Sequence, residues 1–259
     1  MEVDGVTKRM RLDKMLANMG CGSRSEIKTV VRQGKVSVNG LIVKDSGLQI
    51  DPKADDVEFD GERVRFRDIV YLLMNKPQGV VSATEDTRER TVLDLLKPED
   101  RLLQPFPVGR LDKDTVGLLL LTNDGQLAHE LLSPRKHVDK TYEALVRGTV
   151  GEADRQAFAA GVTLDDGYVT MPAELAVVRT APGGDEDPGP VSEISLTIRE
   201  GKFHQVKRMF EAVGKKVLFL KRVAMGPLKL DEQLAPGSYR ELTDEEVNAL
   251  KTHRNSGKE

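Results

Sequence analysis

The residues best placed to do chemistry lie in one short stretch near the middle of the chain. Arg110 and Asp112 stand two residues apart in the segment 109–125, which begins and ends with glycine. An apolar run at 116–121 follows them and predicts a buried strand. Polar residues on a loop anchored by a rigid strand often carry function. Spacing alone leaves two roles open for Asp112, a reactive carboxylate or a turn residue bonded to its neighbours.

Charge is distributed unevenly along a chain that is nearly neutral overall. The 259 residues include 39 basic and 42 acidic ones, a formal net charge of −3, which excludes a uniformly basic nucleic-acid coat. Residues 8–44 nevertheless contain nine basic residues against two acidic ones, and residues 200–229 contain eight against two. Such clusters suit a polyanion, although charge counting supports two solvated faces equally well.

Several classes of function find no support in the composition. The chain has no apolar run of about 18 residues and no apolar leader, so we expect a cytoplasmic protein without membrane contact. Cys21 is the single cysteine, and the four histidines do not cluster at zinc-finger spacing. No Walker or dinucleotide glycine pattern occurs. We therefore expect no metal, no nucleotide and no other cofactor.

The front of the chain predicts a small αβ module. Apolar residues at helical spacing predict a first helix that ends at Gly20, and the capping box Ser23–Glu26 begins a second helix that ends at Gly34. Alternating strands then flank Asn39-Gly40, the favoured type I′ hairpin turn.

This order of helix, helix and hairpin resembles the S4 RNA-binding domain, which we place at residues 9–66. The resemblance implies that the exposed cations of the module bind RNA. These are Arg9, Arg11, Lys14, Arg24, Lys28, Arg32 and Lys35.

The rest of the chain, residues 68–251, predicts a second domain of the α+β class. Several strands follow one another without an intervening helix, so the sheet should be mixed or largely antiparallel and flanked by helices, not doubly wound. The strands are expected at 69–74, 140–147, 193–199 and 217–224, and the helices at 125–132, 151–160, 204–213 and from 243 onward. Residues 182–190 predict an exposed loop, and 252–259 a flexible tail.

Four ordered motifs in this second domain resemble those of the RsuA-type pseudouridine synthases, which isomerise uridine in ribosomal RNA. The motifs are 71–79, the segment 109–125, the K-T-Y motif within 133–142, and 200–210. The resemblance implies that Asp112 is the catalytic aspartate, acting at the ribose of a uridine extruded from its stack. It also makes Asp114, the other acid of the loop, the weaker candidate.

The same resemblance assigns roles to residues around Asp112. Lys207 would pair with Asp112 and keep it ionised, with a phosphate contact as the alternative. Tyr142 would stack on the flipped uracil, a common way to hold extruded RNA bases. Arg110 would reach RNA near that nucleotide or else pair with Asp114.

Three further residues receive looser assignments. Lys76 and Arg208 are expected to contact RNA. His204 is expected to hydrogen-bond or to meet an RNA edge, and not to bind a metal, because no Cys or second His lies nearby in the sequence.

The choice of substrate depends on the third motif, which reads Phe-His-Gln-Val-Lys-Arg-Met at 203–209. The sequence of this motif is closer to that of small-subunit rRNA enzymes, so we expect 16S rRNA or a pre-ribosomal particle as the substrate. We also expect the enzyme to be a monomer. Two alternatives remain: a large-subunit (23S) rRNA enzyme, and a non-catalytic S4-type RNA-binding or ribosome-assembly protein.

Overall fold

The computed structural model describes residues 9–182 and 189–253. The chain divides into two compact units, one formed by residues up to 70 together with 97–104, and one formed by 71–96 and the residues from 105 onward. Of the expected loop at 182–190, residues 183–188 lie outside the described residues, as do residues 254–259 of the expected tail.

The first unit consists of short helices and two small antiparallel sheets. In one sheet β1 pairs with β4, and in the other the strand order is β3–β2–β5–β6. Its elements are β1 (Met10–Arg11), α1 (Leu12–Asn18), α2 (Arg24–Arg32), β2 (Val36–Val38), β3 (Leu41–Ile42), β4 (Gln49–Ile50), β5 (Val57–Phe59), β6 (Glu62–Arg63) and α3 (Pro98–Arg101).

Local signals in the sequence account for this unit. The backbone N–H of Ser23 donates to Glu26 Oε2 at 2.8 Å, and the backbone N–H of Glu26 donates to Ser23 Oγ at 3.3 Å, which completes the capping box of α2. Asn39 and Gly40 have φ of 53° and 77°, the two positive values that a type I′ turn requires. The helices and strands of this unit bury one apolar cluster, to which α1 contributes Leu12 and Leu16. The predicted helix, helix and hairpin are therefore confirmed.

The second unit is built on a mixed sheet. Its strand order is β11–β12–β10–β13–β9–β7–β15, and within that order β13 and β9 run parallel while the other pairs are antiparallel. The elements are β7 (Tyr71–Lys76), β8 (Phe106–Pro107), β9 (Val116–Thr122), α4 (Gly125–Leu132), β10 (Lys140–Arg147), α5 (Glu152–Ala160), β11 (Glu174–Ala181), β12 (Val191–Ile198), α6 (Gln205–Ala212), β13 (Lys216–Met225), β14 (Leu228–Lys229), β15 (Tyr239–Glu241) and α7 (Asp244–His253). The α+β class with a mixed sheet is confirmed.

The centre of this sheet is an apolar layer around β9. Residues 117–122 are all buried, and leucines of β9 pack against leucines of α4. Gly117 has φ of +101°, and a Cβ atom there would lie 2.2 Å from the carbonyl oxygen of Arg222. Glycine is therefore required where β9 and β13 approach each other.

Four strands described in the second unit, β8, β11, β14 and β15, are not predicted from the sequence. In β11 only Leu175 is well buried, so this edge strand lacks the alternation that marks a half-buried strand. Within the described residues, no helix is long and apolar enough to cross a membrane.

Candidate active site

The loop that carries Asp112 is held by the segment that follows β7. The backbone N–H of Gly79 donates to the carbonyl oxygen of Lys113 at 2.9 Å. Ser82 Oγ donates to the carbonyl oxygen of Leu111 at 2.9 Å and accepts from the Leu111 N–H at 3.0 Å. These bonds fix the backbone on which the Asp112 carboxylate stands.

Lys76, the last residue of β7, is a buried support of this loop. Its ammonium group donates to the carbonyl oxygens of Asp112 and Thr115, each at 2.9 Å, and to that of Pro77 at 3.1 Å. The side chain is fully buried, and burial lowers the pKa of Lys76 to about 8. Because its ammonium group is enclosed and bonded to carbonyl oxygens, this structure favours a supporting role for Lys76 over the predicted RNA contact.

Lys207, on α6, joins the two carboxylates of the loop. Lys207 Nζ lies 3.0 Å from Asp112 Oδ2 and 2.7 Å from Asp114 Oδ1. Asp112 is the more enclosed acid, with 28% of its side chain exposed against 66% for Asp114. The structure thus brings together the predicted Lys207–Asp112 pair and adds Asp114 to it.

The ion cluster shifts the pKa values of Lys207 and Asp114. Burial works to lower the pKa of Lys207, but its hydrogen bonds to Asp114 and Asp112 outweigh burial and leave the pKa above its usual value. The hydrogen bond from Lys207 holds the pKa of Asp114 below its usual range, against the effect of burial. Lys207 is therefore a cation, and Asp114 an anion, at neutral pH.

His204 forms a second side of the site. Its Nε2 atom lies 3.6 Å from Asp112 Oδ1, and its backbone is left-handed with φ of 48°. In the described part of the chain, no group of three or more His, Cys, Asp or Glu side chains is arranged to hold a metal ion.

Tyr142 is buried in the sheet, whereas Arg110 is exposed on the loop. Tyr142 is a buried residue of β10, paired across the sheet with Arg222 of β13, which in turn is aligned with Gly117 of β9. This register places Tyr142 two strands away from the strand that follows Asp112. Arg110 is exposed on the loop, and Asp114, its alternative partner, is bonded to Lys207.

Several cations of the basic stretch at 200–229 are bound within the fold. Arg208 binds the carboxylates of Asp165 and Asp166, and 14% of its side chain is exposed. Lys215 Nζ lies 2.6 Å from Asp154 Oδ1, and the buried Arg222 donates from Nε to the carbonyl oxygen of Leu118 at 2.9 Å. Both acids compete with a phosphate for the guanidinium group of Arg208, and its phosphate contact stays a prediction.

The basic residues predicted in the first unit are on its surface. Arg11 pairs with Asp13 at 2.6 Å and Lys35 with Asp60 at 3.2 Å, yet both side chains remain about half exposed. The others are also exposed on the first unit: Arg9, Lys14, Arg24, Lys28 and Arg32.

Sequence reasoning missed the internal role of Lys76 and Ser82. The signal available for Lys76 is its position at the end of an apolar strand, directly before Pro77, where a solvated side chain would interrupt a buried layer. No local signal marks Ser82, because its partner Leu111 lies 29 residues away.

Two families match the chain. The S4 domain matches residues 10–56, and RNA pseudouridylate synthase matches residues 70–212, more than half of the chain. The second range contains Asp112, Tyr142 and Lys207.

Relatives of similar length carry related names. An uncharacterized RNA pseudouridine synthase of Bacillus subtilis (strain 168) is 54% identical, over 93% of this chain and 98% of its own length. The ribosomal small subunit pseudouridine synthase A of Yersinia pestis is 40% identical over 93% and 98%. The ribosomal large subunit pseudouridine synthase B of Bacillus subtilis (strain 168) is 39% identical over 96% and 98%.

A solved structure also resembles this one. The crystal structure of a pseudouridylate synthase has a TM-score of 0.63 and 37% identity, and the match covers 93% of this chain and 99% of that one. The chain therefore belongs to the RNA pseudouridine synthase family, with an S4 domain ahead of its isomerase domain.

Proposed function

We propose that this isomerase converts a specific uridine of small-subunit (16S) rRNA to pseudouridine, with Asp112 as the catalytic aspartate. The observation that carries the proposal is the position of Asp112: a part-exposed carboxylate, 3.0 Å from Lys207 Nζ, on a loop tied to Lys76 and Ser82. We assign residues 9–66 to the S4-like RNA-binding domain and 68–251 to the catalytic domain.

The reaction needs a fixed negative charge beside the sugar. The bond from ribose C1′ to uracil N1 breaks, the base turns, and a bond from C1′ to C5 forms. The proton of C5 is then lost and N1 gains one, so atoms and electrons balance without a redox partner. Asp112 would attack or deprotonate at the ribose, with Lys207 hydrogen-bonded to it, much as a carboxylate flanks the cleaved bond in glycosidases.

The remaining groups would hold the RNA. Tyr142 would stack on the detached uracil, since an aromatic face holds a base without needing its pairing edge. Arg110, exposed two residues before Asp112, would meet the backbone near the extruded nucleotide. The exposed cations of the S4 unit would neutralise phosphates and orient the substrate.

The choice of the small subunit rests on the third motif. The named small-subunit and large-subunit relatives are 40% and 39% identical, so overall identity does not separate the two substrates. Lys207, within Phe-His-Gln-Val-Lys-Arg-Met, favours the small subunit, and a 23S target is the alternative. We further propose a monomer that works in the cytoplasm on rRNA or a pre-ribosomal particle.

The first experiment identifies the substrate. Unmodified transcripts of 16S and 23S rRNA are incubated with the protein, and pseudouridine is mapped by chemical probing. Modification of one 16S uridine is expected. Modification of 23S rRNA alone would overturn the small-subunit assignment, and the same position should lose its modification in a deletion strain.

The second experiment tests the catalytic residue with a matched control. Asp112→Asn should abolish pseudouridine formation while RNA binding is retained. Asp114→Asn removes the other carboxylate bonded to Lys207 and should retain most of the activity. Full modification by Asp112→Asn would refute the assignment, and loss in Asp114→Asn alone would transfer it to Asp114.

A further inference from the structure

An exposed aromatic ring stands beside the Asp112 site. Phe203 has 74% of its surface exposed, although phenylalanine is ordinarily a buried residue. Its ring stacks on His204 with centroids 3.8 Å apart and planes 19° apart. Since His204 Nε2 lies 3.6 Å from Asp112 Oδ1, the stacked pair extends outward from the carboxylate.

One face of the Phe203 ring is open. His204 covers the other face, and the 74% exposure of Phe203 leaves the face that points away from His204 accessible. A ring in this setting contributes little to folding, because the area that it removes from water is small. Packing in the hydrophobic core therefore does not account for the position of the Phe203 ring.

The backbone beneath the ring is held in place. Arg208, itself bound to Asp165 and Asp166, donates from Nη1 to the carbonyl oxygen of Phe203 at 3.3 Å. His204 has φ of 48°, a left-handed conformation that is uncommon outside glycine. Because its backbone is fixed by these contacts, the exposed Phe203 ring can bind a partner at little cost in conformational entropy.

Hydrogen bonds among residues 200–205 also fix the turn that carries Phe203. The N–H of Lys202 donates to Gln205 Oε1 at 2.8 Å, and the buried Gln205 donates from Nε2 to Glu200 Oε1 at 2.6 Å. Lys202 Nζ lies 4.2 Å from the centroid of the Tyr168 ring. Lys202 and Lys207 place positive charge on both sides of the Phe203–His204 pair along the chain.

We propose that the open face of Phe203 is a stacking platform for an unpaired RNA base adjacent to the uridine on which Asp112 acts. Extruding a nucleotide breaks its stacking with its neighbours, and an aromatic face can replace that contact for any base. The exposed Lys202 beside the ring suits a phosphate of the same strand. This inference rests on the proposed function of Asp112, and it adds a substrate contact that the reaction chemistry does not itself require.

The chain offers a direct optical test because it contains no tryptophan. Phe203→Trp introduces a single indole at the platform, and base stacking on it should quench its fluorescence. Val178→Trp is the matched control: it lies 62% exposed on β11, at the far edge of the sheet from β9. The probe is the rRNA transcript that the wild-type enzyme modifies, added to each variant in the Asp112→Asn background to prevent turnover.

Saturable quenching of Phe203→Trp without quenching of Val178→Trp is the expected result. Phe203→Leu, which keeps an apolar side chain but removes the ring, should lower kcat/KM for modification by about tenfold. Phe203→Tyr should restore it to about the wild-type value, and thermal unfolding of both variants should match that of the wild type.

Two results would overturn the platform. One is that the indole fluorescence of Phe203→Trp does not change when RNA binds, with binding verified by filter retention. The other is wild-type kcat/KM in Phe203→Leu. If the wild-type enzyme modifies its rRNA and either result is found, the stacking inference fails while the proposed function stands. If Asp112→Asn still modifies the rRNA, the catalytic assignment fails, and the fluorescence of Phe203→Trp still decides the platform.

Discussion

Replacing Lys207 by methionine should slow uridine isomerisation without unfolding the protein. Lys207 Nζ donates to Asp114 at 2.7 Å and to Asp112 at 3.0 Å, and the two bonds differ in the free energy that they contribute. Asp114 is 66% exposed, so its ion pair contributes about 0–1 kcal/mol. Asp112 is 28% exposed, and a charge-assisted hydrogen bond there is worth about 1.5–3 kcal/mol. If the transition state needs this bond, the rate constant should fall roughly ten- to a hundredfold.

The assay is a single-turnover reaction with enzyme in excess over the rRNA transcript, in which pseudouridine is quantified over time. Lys207→Arg is the matched variant, because a guanidinium group retains the positive charge and can bond both carboxylates. It should retain most of the rate, whereas Lys207→Met should not. Thermal unfolding of both variants serves as the control for folding.

The pH dependence follows from the direction of the Lys207 shift. Its pKa lies above the usual value of 10.5, so the contribution of the Lys207 charge to stability is fully present below pH 10.5 and is lost only as the pH rises through the folded-state pKa. Lys207 should therefore cause no step in the wild-type rate near neutral pH. A Lys207→Met rate within twofold of wild type would refute the reasoning, as would an equal loss in Asp114→Asn.

Three further predictions concern the fold and the RNA-binding surface. Gly117→Ala should lower the free energy of unfolding by roughly 2–5 kcal/mol in urea, because its methyl group would meet the Arg222 carbonyl oxygen in a left-handed backbone; a loss below about 1 kcal/mol would contradict this. Combining Lys28→Gln with Arg32→Gln should reduce the slope of log Kd against log salt for rRNA by about 1.5–2, and an unchanged slope would exclude these phosphate contacts. Burial lowers the pKa of Lys76 to about 8, so the unfolded chain binds the extra proton between about pH 8 and 10.5 and stability should rise over that range. Lys76→Met should remove part of this rise in urea titrations, the rest coming from Lys140, whose pKa is also lowered to about 8 by burial; an unchanged rise would contradict the assignment.

Features encoded over a few neighbouring residues could be predicted from the sequence. The helix 125–132 and the strand 140–147 have the predicted bounds, and the Ser23–Glu26 capping box is formed as expected. Each depends on side-chain periodicity or on a bond between residues three apart. The edge strand β11 was missed because most of its side chains face solvent, which leaves no pattern to detect.

The site could be predicted only where a resemblance supplied long-range information. Lys207 and Asp112 are 95 residues apart, and neither periodicity nor composition relates them. For Lys76 and Arg208 the sequence predicts RNA contacts, whereas the structure shows partners within the protein. Their partners, the carbonyl oxygen of Asp112 and the carboxylate of Asp165, lie 36 and 43 residues away and become visible only in the fold.

The two basic stretches of the chain therefore serve different purposes, which charge counting cannot distinguish. The described cations of residues 9–44 are exposed, whereas Lys207, Arg208 and Lys215 of the second stretch are bound by acids from elsewhere in the fold. A cation already paired with a carboxylate releases few counterions when RNA arrives, so it adds little to the salt dependence of binding. We therefore expect the S4 unit to contribute more to the salt dependence of rRNA binding than these three paired cations do.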